Sequence, residues 1–165
     1  MKTRLISSLA VAALATLSLS SCALMSPQGT LDPYAPSDGV EVNVADLEVR
    51  NIMLLTNKNA VELNLVFGVV NTGSEPAKLG FRFVDATGKE LGKADVKVPT
   101  GYTSFGKLSE DPVLLTMRGL DAGAMVLVYI QTPGGEQSIS VPILDGTLKD
   151  ADGNYVFPEY VEYVP

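Results

Sequence analysis

The chain has 165 residues, the length of one domain, with 19 Asp and Glu against 12 Lys and Arg for a formal charge of −7. That balance argues against a basic nucleic-acid binder. Histidine and tryptophan are absent and Cys22 is the only cysteine, so His-centred triads, His-rich metal sites and intramolecular disulfides are excluded.

Residues 1–21 read as a lipoprotein signal peptide. Lys2 and Arg4 form a charged start, Leu5 to Leu19 an apolar run broken only by Ser and Thr, and Leu19-Ser20-Ser21-Cys22 follows as a lipobox. The apolar run is shorter than the roughly 20 residues a membrane span needs. Small residues before the cleaved bond suit the lipoprotein signal peptidase, which predicts cleavage between Ser21 and Cys22 and a diacylglycerol thioether on the Cys22 thiol. Several acyl chains on one residue anchor stably where one does not. The expected location is the outer, extracytoplasmic face of the cytoplasmic membrane. Loss of Lys2 and Arg4 leaves a side-chain charge of −9, which offers no overall attraction to anionic lipid.

Residues 22–39 read as a lipid-anchored flexible linker, rich in Pro, Gly and small polar residues, with Tyr34 its one aromatic. From Val40 the pattern alternates. Val40, Val42 and Val44 interleave with Glu41 and Asn43; Val61, Leu63, Leu65 and Phe67 interleave with Glu62, Asn64 and Val66. Phe81 and Phe83 flank Arg82, and Val96 and Val98 flank Lys97. These predict half-buried strands. The continuous apolar run Met125 to Ile130 predicts a central strand covered on both faces. With turns at Asn71-Thr72-Gly73, Thr87-Gly88-Lys89, Asp121-Ala122-Gly123 and Pro133-Gly134-Gly135, residues 40–145 predict an all-β, antiparallel β-sandwich of about seven or eight strands.

Residues 146–165 form an acidic, Tyr-rich C-terminal tail. Lys149 to Asn154 contains part of a calcium-loop pattern but lacks its closing glutamate, so an Asp-Gly turn is expected. Tyr155, Phe157, Tyr160 and Tyr163 predict a strap packed on the domain, because exposed together they would be a liability.

Three patches in fixed order carry a family resemblance. They are Glu62-Leu63-Asn64-Leu65 leading to Val70-Asn71-Thr72-Gly73, then Val98-Pro99-Thr100-Gly101, then Leu114-Leu115-Thr116-Met117-Arg118-Gly119-Leu120 followed by Ala122-Gly123. The order resembles the periplasmic copper chaperone PCuAC family, and the lipobox with Tyr34 to Gly39 is similar to actinobacterial surface lipoproteins. The resemblance implies a Greek-key, cupredoxin- or immunoglobulin-like sandwich. It also implies a copper site of His and Met ligands, but the corresponding segments, Leu114-Leu115-Thr116 and Phe81 to Leu91, hold none of them. Met53, Met117 and Met125 remain as thioether candidates for copper trafficking, and a lone Met in a strand is more often core filler.

Catalysis finds no support: Glu110 and Asp111 are adjacent and diverge on an extended chain, and Asp150 and Asp152 lack an orienting group. The expected function is noncatalytic, with no cofactor beyond the lipid: a binding module for an envelope protein or ligand. The segment Thr100 to Asp111, with Tyr102, Phe105 and Glu110, is the candidate partner-binding loop.

Overall fold

The structure is a computed structural model that describes residues 37–56 and 62–161. Cys22, Ser21, the signal peptide and nearly all of the linker lie outside the described residues, as does Tyr163. No helix occurs among the described residues. The strands are β1 (Val40–Val44), β2 (Leu47–Thr56), β3 (Glu62–Asn71), β4 (Ala77–Val84), β5 (Glu90–Val98), β6 (Gly101–Phe105), β7 (Leu114–Thr116), β8 (Met125–Thr132) and β9 (Gly135–Asp145).

Hydrogen bonding runs β5-β4-β8-β9-β2-β3-β6, with β1 on β2 and β7 on β3. The long strand β9 makes this one curled sheet. Its first part pairs antiparallel with β8 as far as Pro142, and Ile143 to Asp145 then pair parallel with β2. The all-β, sandwich-like architecture expected from the alternation is therefore what the chain forms, with nine strands and one parallel pairing in place of a wholly antiparallel set.

The interior is filled by alternate residues of both layers, including Leu54, Leu63, Leu65, Phe81, Phe83, Val128, Ile130 and Ile143. Phe67 sits at its centre, 4.8 Å from Phe81 across the layers and stacked 4.9 Å from Phe105.

A bulge in β2 decides what faces where. The β2–β3 register shifts between Arg50 and Met53, and Asn51 adopts a left-handed φ of 54°. An extra residue in a period-two element exchanges its faces. Leu47 and Val49 point inward before the bulge, Ile52 and Leu54 after it, so Met53 and Leu55 are carried to the outer face. Asparagine tolerates this conformation, and its Oδ1 accepts a hydrogen bond from the Gly39 amide at 3.0 Å.

That outer face is buried too. Met53, Leu55 and Val66 form a second cluster with Phe157 and Val161 of the tail, flanked by Leu144 and Tyr160. The described part of the tail thus packs as a strap through Phe157, Tyr160 and Val161, whereas Tyr155 is 38% exposed. Its turn is closed by Asp150, which accepts from the Asp152 and Asn154 amides at 3.0 and 2.9 Å; the Asn154 amide first of all holds the Asp150 carboxyl below its ordinary pKa.

Two expectations need correction. Asn64 and Val66 are buried rather than half of a solvent face, because the strap covers them. Met125 to Ile130 is not covered on both faces: Val126, Val128 and Ile130 enter the core, while Met125 is 56% and Leu127 37% exposed. Strand β8 is central in its layer, but its outer face has no covering element among the described residues.

Candidate functional site

The segment proposed as a partner-binding loop begins as a strand. Gly101, with φ of 84°, turns the chain into β6, which pairs with β3 through Val70↔Tyr102, Gly68↔Ser104 and Phe67↔Phe105. Only the following residues, Gly106 to Asp111, form a loop. It is closed by the Gly106 amide donating to the Asp111 carbonyl at 2.7 Å.

Tyr102 and Phe105 therefore do not share a surface. They are three positions apart on an extended chain, and an odd separation places side chains on opposite faces. Tyr102 is 72% exposed, whereas Phe105 lies in the core against Phe67. Phe105 is corrected from contact residue to core residue. Phe105→Ala is expected to lower stability by about 3–5 kcal/mol, the usual cost of emptying a buried phenylalanine site. Chemical denaturation will read this as a lower midpoint with an unchanged slope.

Tyr102 is placed by what is missing beneath it. At Gly68 an added Cβ would lie 3.1 Å from Tyr102 Cε2 and 3.2 Å from its hydroxyl, so the ring rests over a glycine on the outer face of β3. Its other side is open, and β6 ends the hydrogen-bonded path of its layer. Glu110 is exposed in the neighbouring loop. Beside it, Lys107 Nζ lies 3.2 Å from Glu159 Oε2 of the strap; that hydrogen bond first, then the charges of Glu159 and Glu110, raise the Lys107 pKa.

The residue that ties these parts together was not singled out from the sequence. Asn64 is 4% exposed; its Nδ2 donates to the Gly106 carbonyl and, at 2.7 Å, to the Tyr160 carbonyl, while its Oδ1 accepts from the Val113 amide at 3.3 Å. One amide thereby joins β3, the loop after β6, the entry to β7 and the strap. The available signal was a lone polar side chain inside Leu63-Asn64-Leu65-Val66-Phe67, which must find partners if buried.

The methionines occupy three environments. Met117 is in the main core, where a Cβ added to Gly92 would meet its Sδ at 3.0 Å. Met53 lies under the strap, and Met125 is exposed on β8. Their thioethers belong to the interior and to the outer faces of the two layers, not to one ligand set. Among the described residues no group of three or more His, Cys, Asp or Glu side chains is placed to hold a metal ion. No protein-family profile matches the chain, and no curated protein matches it either.

Proposed function

We propose that the chain is a noncatalytic, acyl-anchored binding module of the cell envelope that engages an envelope protein or ligand through the β6 edge. The observation that carries the reading is Tyr102: a large aromatic, 72% exposed, on a strand that ends its layer. Exposed aromatics of this kind supply contact area at little entropic cost and dominate interfaces out of proportion to their number. An open strand edge adds backbone donors and acceptors for a partner segment. The lipobox at Cys22 supports the anchor, and the interval from Cys22 to Ser37 supports a domain held at a distance from its acyl chains.

Two measurements test this reading. A photo-crosslinking amino acid in place of Tyr102, with another in place of exposed Asp121 as control, is expected to yield a discrete adduct in whole cells from position 102 alone. Tyr102→Ser should weaken that association by about tenfold or more while moving the thermal midpoint by no more than about 3 °C. Equal adducts from both positions, or none from either, would overturn the binding surface. The anchor is read separately, by mass spectrometry of the N-terminal peptide of the exported chain. A diacylglyceryl thioether on Cys22 is expected, and a cleaved, unacylated peptide would remove it.

A further inference from the structure

An edge strand presents a row of unpaired backbone N–H and C=O groups, which is a template for a further strand. The hydrogen-bonded path of this sheet ends at β5 and at β6, and the two ends are built differently. β5 carries exposed Glu90, Lys93, Asp95 and Lys97. Its register with β4 shifts between Phe83 and Val84, which leaves Leu91 as an extra residue and the edge bulged. Charges must be desolvated by an added strand, and a bulge breaks the spacing that such a strand needs.

β6 has neither device. Gly101-Tyr102-Thr103-Ser104-Phe105 contains no charge and no proline, and its pairing with β3 runs from Asn71↔Gly101 to Phe67↔Phe105 without a shift. Among the described residues its backbone pairs with β3 alone. In an antiparallel pair alternate residues turn both backbone groups away from the partner, so β6 keeps donors and acceptors facing outward at strand spacing. Its one protection is brevity. Gly106, with φ of 101°, turns the chain into the loop closed on Asp111, and β7 resumes the same side of β3 only at Asn64. An added strand is thereby limited to about five residues, not excluded.

We propose that the occupant of this edge is an extended segment of another polypeptide, added to the sheet as a strand beside β6. The inference rests on the reading of Tyr102 and the β6 edge as a contact surface, and it specifies the chemistry of the contact. Backbone groups in line at strand spacing are matched along their whole length by another extended backbone. Side chains then select among such segments. On the outer face, guest residues stand beside Ser104 and beside Tyr102, whose ring is backed by Gly68. An aromatic or β-branched residue suits the position opposite Tyr102. On the inner face, guest residues stand beside Thr103 and Phe105 at the border of the core, where a charge would lose its hydration without gaining a partner. The guest is therefore uncharged at those positions. A second copy of this chain is a poorer occupant, because each copy brings a net charge of −7 and self-association must overcome that repulsion.

Hydrogen exchange separates an added strand from a contact made by side chains alone. A photo-crosslinking amino acid in place of Ser104, in the full exported chain and in whole cells, leaves Tyr102 intact and captures the guest. The adduct and the free variant are then compared by deuterium exchange and mass spectrometry. In the adduct, the amides of residues 101–105 should exchange about tenfold or more slowly than in the free chain, while those of β5 are unchanged. Circular dichroism shows whether the Ser104 variant folds, and the variant carrying the crosslinker at position 102 supplies the same comparison if it does not.

An adduct in which residues 101–105 exchange as in the free chain would overturn strand addition and leave the β6 contact standing. Equal slowing along β5 would do the same. No adduct from either position removes the contact reading and this inference with it, and an adduct with the mass of two copies of the chain overturns the choice of occupant.

Discussion

Asn64→Asp is expected to lower stability by about 4 kcal/mol at pH 7, within the range for an uncompensated buried charge. Two acceptor carbonyls, of Gly106 and Tyr160, face the Asn64 Nδ2, and substitution would turn that donor into a carboxylate oxygen. The Val113 amide is the one donor left to the new group. Burial and the two carbonyls disfavour its ionised form, so its folded-state pKa lies above the unfolded value of about 4. The sign of the pH dependence follows. The folded state holds the proton more tightly, so the deficit against the parent shrinks as pH falls through that raised pKa. Thermal melts from pH 7 down to 4 check this: a midpoint about 15 °C below the parent at pH 7, with part of the gap recovered in acid. A variant within about 2 °C of the parent at pH 7 would show that the amide is not a structural tie.

Gly106→Ala should be comparably damaging for a steric reason. Gly106 is buried with φ of 101°, and an added Cβ would meet the Leu65 carbonyl oxygen at 2.8 Å and the Val66 Cα at 2.9 Å. Those atoms are backbone of β3 and cannot rotate away. The chain must shift β6 from β3 or abandon the conformation, at an expected cost of about 3 kcal/mol or more. Gly123→Ala separates the contributions. Gly123 has φ of 88° and nothing within 4 Å of the added atom, so only the left-handed backbone is penalised, by about 1–2 kcal/mol. Equal losses for the two variants, measured by denaturant unfolding, would show that contact with β3 adds nothing.

The two sites meet at one point, since the Gly106 carbonyl accepts from Asn64. Their effects should therefore be less than additive. The strap, the loop after β6 and the edge carrying Tyr102 are secured by the same small group of contacts.

Local order was legible in the sequence. A strand exposes alternate residues to alternate environments, so Val40 to Val44 and Phe81 to Phe83 announce themselves by period two. The turns at Asn71 to Gly73 and Asp121 to Gly123 do so by composition. The proposed lipobox reading of Leu19 to Cys22 is equally local, because a signal peptidase would act on a linear segment with no fold required.

Tertiary structure decided which face each residue serves. The Asn51 bulge exchanged inside for outside within β2 and put Met53 beneath the strap. The strap buried Asn64 and Val66, which alternation alone assigns to solvent. The odd spacing of Tyr102 and Phe105 divided what looked like one aromatic surface, once those residues proved to be strand. The cross-strand lysine pair depends on register: Lys78 and Lys97 are distant in the chain and become neighbours only when β4 and β5 pair. Period and turn chemistry arise from contacts within a few residues, so sequence by itself determines them. Burial and pairing arise between segments far apart, and the folded chain alone brings those together.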